Sequence, residues 1–227
     1  MPYLFEPAAP ASLPVAGRDA LFPVHRVYCV ARNYAAHARE MGGDPDREPP
    51  AFFMKPADAV VPGGDVPYPP ATANLHHEVE LVAAIGRGGR DIPVAAALDH
   101  VFGYAVGLDL TRRDLQATAR AAGGPWDMAK GFDRSAPCGT VVPAADIGHP
   151  ARGAIRLAIN GTVRQDGDLR DLIWSVAETV AQLSTLVELQ PGDLLFTGTP
   201  EGVGPVVAGD VLDGHIDGVG DLRVVIR

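Results

Sequence analysis

The sequence predicts an α+β fold that is mostly β. Glycine (26) and proline (21) recur densely along the 227 residues, a punctuation that suits short strands and turns better than long helices. Glu78–Ile85 and Phe102–Leu108 are apolar-rich runs of strand length, the second apolar throughout, as in strands buried on both faces. Asn160-Gly161, at the end of the apolar run Ile155–Asn160, is the strongest hairpin signal in the chain.

Residues 1–24 read as an irregular lead-in with one short strand at most, and residues 25–227 as a single domain. Arg26–Val30 is a short apolar strand. Asn33–Glu40 reads as a helix capped by Asn33. The polar, Gly/Pro-rich stretch Gly42–Pro50 ends it, and a mobile loop is expected there. Ala51–Lys55 is a strand and Ala59–Pro70 is turn-rich. Glu78–Ile85 follows, then a turn at Gly86–Gly89, a short helix from Pro93 to about His100, and the strand Phe102–Leu108. Thr111–Ala122 reads as a helix with Thr111 as N-cap and Asp114 three residues on, resembling a capping box. Strands are expected at Val141–Pro143 and Ile155–Asn160, a helix around Ser175–Thr185, and closing strands at Asp193–Thr197, Asp210–Ile216 and Leu222–Ile226.

The net charge of −9 argues against a nucleic acid or an anionic membrane as partner, since either wants a basic face. The two cysteines, Cys29 and Cys138, have no metal-type spacing and form no disulfide framework. A reduced, cytoplasmic setting is the simplest reading. The N-terminus lacks the basic start and apolar run of a signal peptide, and no stretch approaches the ~20 apolar residues of a membrane span.

Three carboxylates carry the strongest chemical signal. Glu78 and Glu80 alternate in a strand and so project to one side, and Asp109 ends another apolar run. Carboxylates held together repel each other and are costly to bury without a compensating cation. Hard oxygen ligands without a cysteine select Mg²⁺, Mn²⁺ or Ca²⁺ over zinc. On the strand alone a second reading stays open, in which both glutamates face solvent from an edge strand and pair with Arg87 or Arg90. His76 shares their face and His77 points the other way.

Other groups are suggestive only in combination. His37 and Glu40 are neighbours on one helix face, the arrangement of a carboxylate-oriented general base, or of a solvated surface pair. Lys130 lies among apolar residues beside Gly131 and is either a cation for an anionic ligand or a snorkelling surface lysine. Arg112, Arg113 and Gln116 follow Asp109 directly, where a guanidinium could fork onto a carboxylate. The turn Phe196–Gly204 offers backbone amides and the Thr199 hydroxyl to an anion, but lacks the lysine and spacing of a nucleotide-binding loop.

Taken in order, Arg32-Asn33-Tyr34-Ala35-Ala36-His37, Lys55-Pro56, Glu78-x-Glu80-Leu81, Gly103-Tyr104 through Asp109–Asp114, Ala129–Asp133 and Thr197-Gly198-Thr199-Pro200-x-Gly202-Val203-Gly204 resemble the fumarylacetoacetate hydrolase family, within it the acylpyruvate hydrolase branch. Asn74–Glu78, Asp109–Gln116 and Lys130–Asp133 look most like the bacterial enzymes that hydrolyse fumarylpyruvate in gentisate degradation. The resemblance covers about residues 25–227, with one departure, Ala31 where the family usually has glycine.

The resemblance implies a mixed β-sandwich roll, commonly a homodimer, with a lid at about 33–50. Glu78, Glu80 and Asp109 would hold Mg²⁺ or Mn²⁺ (Ca²⁺ is also compatible), His37 and Glu40 would activate water, and Lys130 would be an active-site cation. Arg32, Tyr34, Arg112, Gln116 and Thr199 would contact a 2,4-dioxo acid. The expected reaction is hydrolysis of the C3–C4 bond, with fumarylpyruvate giving fumarate and pyruvate. Two rivals are carried forward. One uses the same site to decarboxylate oxaloacetate or isomerise a hydroxy-dienedioate, and the other is a non-catalytic metal- or ligand-binding β-domain.

Overall fold

Two mixed β-sheets carry the core of this protein, seen in a computed structural model that describes residues 3–40 and 49–227. The six-stranded sheet runs Val142–Pro143, Val101–Leu108, Val79–Ile85, Leu194–Phe196, Val27–Ala31, Ala51–Lys55 in spatial order. The five-stranded sheet runs Thr162–Asp168, Ala154–Ile159, Val211–Ile216, Gly220–Ile226, Gly64–Val66. Each contains one parallel pairing among antiparallel ones, Leu194–Phe196 with Val27–Ala31 and Gly220–Ile226 with Gly64–Val66. This is the mixed sandwich roll the resemblance implies.

The period-two alternation of a strand decides what each face meets. In Val79–Ile85 every residue is buried. Val79, Leu81, Ala83 and Ile85 face the five-stranded sheet and pack with Ile155, Leu157, Leu212 and Val224. The helix Val176–Leu186 adds Val176, Val180 and Leu183 to the same core. Val82 and Ala84, the alternate residues, pack in a second core with Val27, Cys29, Leu194 and Phe196.

That second core explains the departure from expectation at the N-terminus. Residues 12–23 are not an irregular lead-in. Ser12–Val15 and Arg18–Pro23 form an antiparallel hairpin whose Leu13, Val15 and Phe22 cover the outer face of the six-stranded sheet. Without them Val82, Ala84, Cys29 and Phe196 would face water.

The Asn160-Gly161 hairpin forms as expected. Both residues have positive φ (51° and 79°), as a two-residue turn of the right twist requires, and Ile159 pairs with Thr162. Two helix starts differ from the sequence reading. The first helix spans Ala35–Glu40, so Tyr34 rather than Asn33 precedes it. Asn33 instead accepts from the backbone N–H of Trp174 and donates to the carbonyls of Trp174 and Thr197. The later helix begins at Arg113, because Thr111 and Arg112 are first used in pairing with His76 and Leu75. A capping box does occur, at Ser175 and Glu178. Of the expected mobile stretch, residues 41–48 lie outside the described residues.

No helix among the described residues is long and apolar enough to cross a membrane. Leu13 is fully buried in the second core, so Leu13→Ala is expected to destabilise the protein by about 2–5 kcal/mol. Urea unfolding measures this, and a loss under ~0.5 kcal/mol would mean that the hairpin is not part of the cooperative core.

Candidate active site

Glu78 sits at a break in the chain between two strands. Leu75–His77 pairs in a small three-stranded sheet with Thr111–Arg112 and Gly204–Val206, while Val79–Ile85 continues into the six-stranded sheet. Glu80 is the second residue of that inner strand, opposite Gly107. Asp109 leaves the end of the neighbouring strand, where its N–H donates to the Glu78 carbonyl. The three side chains thus converge. Each is buried, and one oxygen from each lies within 4.8 Å of the others. Val79–Ile85 is a central strand, which removes the reading of solvent-facing glutamates, and Arg90 pairs with Glu188 instead.

Three cations surround the triad. Lys130 Nζ lies 2.8 Å from Glu78 Oε2, 2.6 Å from Asp109 Oδ2 and 2.7 Å from Thr111 Oγ1. Arg113 pairs with Glu78 Oε1 and also donates to Gln116. Lys55 Nζ, fully buried, lies 2.8 Å from Asp109 Oδ1 and donates to the carbonyls of Leu110 and Lys130. Burial opposes ionisation of Glu78, yet the charges of Lys130 and Arg113 outweigh it and hold the carboxyl below its usual range; His37 adds to the pull. Burial would lower the Lys130 pKa, but Asp109 and Glu78 reverse this and raise it.

Glu80 is the exception. Burial, then the charges of Asp109 and Glu78, push its pKa well up, opposed by the backbone N–H of Gly198 at 2.7 Å and, more weakly, by the charge of Lys130. Gly198 can aim that N–H because it adopts φ +97°, and a Cβ there would stand 2.7 Å from Asn33 Cβ. Asp109 Oδ1 is ion-paired with Lys55 at 2.8 Å but lacks a well-aligned hydrogen bond. A pushed-up carboxyl within 4.8 Å of two further carboxylates, all hard oxygen donors, fits a divalent cation of the Mg²⁺ or Mn²⁺ type.

The triad forms one end of a cavity of about 530 Å³. Of the residues expected from sequence, Arg32, His37, Glu78, Glu80, Asp109, Gln116, Lys130 and Thr199 line it. His37 is 6% exposed. The Glu40 side chain lies outside the described residues. Tyr34 and Arg112 fall elsewhere. Tyr34 is buried in the main core, where its backbone bridges to Leu172, and burial pushes its hydroxyl pKa upward. The Arg112 guanidinium lies over the Phe132 ring, 4.5 Å from its centroid, and donates to the Met128 carbonyl. Thr199 reaches the cavity, but its hydroxyl donates to the Val79 carbonyl and accepts from Gln165, so it offers an incoming anion little.

Lys130 lines the cavity as a buried cation, with its Nζ engaged by Glu78, Asp109 and Thr111, so it orients the carboxylates. His76 bonds Asn74 and Arg113 rather than joining the triad, and burial, then the Arg113 charge, lowers its pKa to about 4. Lys55 and Arg120 were missed, as were the cavity walls Phe53 and Trp126. The lysine ending Ala51–Lys55 carries no local signal of burial.

A β-sandwich roll with a buried acidic triad at the end of a small-molecule cavity defines a cation-centred enzyme site. The chain belongs to the fumarylacetoacetate hydrolase family, whose C-terminal domain model matches residues 26–227. It is 45% identical to the fumarylpyruvate hydrolase of a Ralstonia species, over 77% of this chain and 91% of that protein. It is 42% identical to the mitochondrial oxaloacetate tautomerase of Arabidopsis thaliana, over 87% of this chain and 89% of that protein. The crystal structure of Pseudomonas aeruginosa fumarylpyruvate hydrolase with Mn²⁺ and pyruvate superposes with a TM-score of 0.97 at 60% identity, covering 99% of each chain.

Metal ligation needs Glu80 ionised, so Mn²⁺ binding is expected to release a proton, and affinity to rise with pH above the ordinary glutamate value of 4.5. Calorimetry in buffers of different ionisation enthalpy reads both, and Glu80→Ala should abolish tight binding; equal Mn²⁺ affinity in that variant would refute the triad as the cation site. Lys55→Met strips a buried partner from Asp109 and is expected to cost the metal-free protein about 3–5 kcal/mol. Thermal unfolding with and without Mn²⁺ checks it, since a bound cation should restore part of the loss.

Proposed function

We propose that the protein is a divalent-cation-dependent hydrolase that cleaves the C3–C4 bond of 2,4-dioxo acids, with fumarylpyruvate as its substrate. The observation that carries this reading is one shared cavity: the acidic triad and the His37 imidazole line the same 530 Å³ space, in a chain 60% identical to a fumarylpyruvate hydrolase crystallised with Mn²⁺ and pyruvate. Within this reading the reaction belongs to gentisate degradation, in the cytoplasm, and the chain acts as a homodimer.

A cation held by Glu78, Glu80 and Asp109 supplies Lewis-acid polarisation and charge neutralisation at the 2-oxo acid end of the substrate. The remaining work falls to the chain. His37 takes a proton from a water, and the resulting hydroxide adds to C4. Gln116, its Oε1 engaged by Arg113, turns its Nε2 donors to the oxygen that gains charge on C4. The C3–C4 bond breaks with its electron pair passing to C3, and C3 takes up a proton, giving pyruvate and the acyl acid. Lys130 and Lys55 keep the carboxylates ionised and aligned throughout. In this reading Glu40 orients His37.

The Arabidopsis relative favours a second reading, in which the same site only moves a proton at C3 of oxaloacetate. Hydrolysis releases pyruvate from an acylpyruvate, whereas tautomerisation breaks no C–C bond. Incubation with Mn²⁺ and fumarylpyruvate, acetylpyruvate or oxaloacetate, following enol absorbance and pyruvate release, separates the two. Pyruvate should form from the acylpyruvates, and turnover of oxaloacetate alone would defeat the hydrolase reading. His37→Ala is expected to lower kcat by about 10²–10⁴-fold with Mn²⁺ affinity retained, since the base is not a ligand.

A further inference from the structure

The face of the Arg113–Ala121 helix that lines the cavity consists of Arg113, Gln116, Ala117, Arg120 and Ala121. These stand at i, i+3, i+4, i+7 and i+8, a single helical stripe. The stripe begins at the acidic triad, where Arg113 pairs with Glu78 and donates to Gln116. It reaches Arg120 two turns later, ~10 Å along the axis at ~1.5 Å per residue. Side chains on a helix lean toward its N-terminus, so a long side chain at position 120 is directed back along the stripe toward Ala117, which carries only a methyl group.

We propose that Arg120 is a specificity-determining residue, receiving the second carboxylate of a dicarboxylic acylpyruvate whose 2-oxo acid end lies at Glu78, Glu80 and Asp109. The inference rests on the acylpyruvate reading above and deepens it. In fumarylpyruvate six bonds separate the two carboxyl carbons, the length of about two extended residues or ~7 Å. This matches the helical offset less the backward lean. Oxaloacetate spans about half as much, and acetylpyruvate lacks the second charge. Phe53 and Trp126, edge to face at 5.9 Å, wall the cavity with apolar rings suited to a flat conjugated acyl chain.

The other arginines fit this task less well. Arg113 stands at the triad end itself, paired with Glu78, too near to meet the far end of a substrate held there, and Arg112 lies outside the cavity over Phe132. Arg32 lines the cavity from an irregular segment with φ 57°. Arg120 stands on a helix whose first turn is fixed to the triad, and sites built on regular elements hold their geometry better than sites on loops.

Arg120→Met removes the charge and keeps the stem. The ratio of kcat/KM for fumarylpyruvate to that for acetylpyruvate should fall about 10- to 100-fold, the size of a charge-assisted hydrogen-bonded pair, and less in Arg120→Lys. Calorimetry reads the same contact without turnover. Fumarate binding should weaken by a similar factor in Arg120→Met, and crotonate, the same skeleton without the second carboxylate, should show no such drop. Circular dichroism and Mn²⁺ affinity at the wild-type level establish that the variant is folded. An unchanged ratio with unchanged fumarate affinity overturns the proposal, as does an equal effect appearing only in Arg32→Met. If the wild-type protein cleaves neither acylpyruvate, the hydrolase reading fails, while the fumarate measurement still decides for or against Arg120.

Discussion

Everything around the cavity follows from burying three carboxylates within 4.8 Å of one another. Each unpaired charge taken from water costs several kcal/mol, and neighbouring like charges add to it. The chain answers with cations from three separate segments. Lys55 ends an edge strand, Arg113 opens a helix, and Lys130 ends a one-turn helix. These ion pairs do more than neutralise. Lys55 also binds the carbonyls of Leu110 and Lys130, so it pins the chain on either side of the triad to the edge of the six-stranded sheet.

The compensation is uneven, and the unevenness is where function enters. Glu78 and Asp109 are paired directly with cations, whereas Glu80 has one backbone N–H, a weaker pull from Lys130 and two like-charged neighbours. A site balanced perfectly by side chains would have nothing to gain from a metal ion. This one leaves a deficit of positive charge at Glu80. The imidazole of His37 comes from a different element, the helix Ala35–Glu40, so it and the carboxylates can be altered separately.

Much of this was legible in the residues. The Glu78-x-Glu80 spacing and the position of Asp109 at the end of an apolar run pointed to a hard cation but left a solvent-facing edge strand open; the central position of Val79–Ile85 decides between them, with Glu78 itself just outside that strand. The Asn160-Gly161 turn was plain. What escaped was set by tertiary packing. The hairpin at residues 12–23 lies in a Pro- and Ala-rich stretch whose apolar residues matter only against Val82 and Phe196 across the sheet. Thr111 looked like a helix cap, but pairing with His76 claims it for a strand. The real capping box, Ser175 and Glu178, has the expected Ser-x-x-Glu spacing and could have been read. Lys55-Pro56 is one of the family motifs, but no role followed from it, and Arg120 is ordinary in sequence; only the register of the edge strand and the phase of the helix bring them to the site.

The break at Glu78 and the N–H of Gly198 set a constraint on how the protein is made. The centre draws on residues 55, 78, 80, 109, 130 and 198, spread over most of the chain, and its last member arrives with the strand Leu194–Phe196. That strand inserts between two others already synthesised, so the six-stranded sheet cannot close until residue 196 has emerged. Contacts of such long sequence separation form late and slowly. The acidic cluster therefore cannot take its final form before Leu194–Phe196 docks beside Val79–Ile85. A product truncated before Gly198 would carry all three carboxylates without the N–H that meets Glu80.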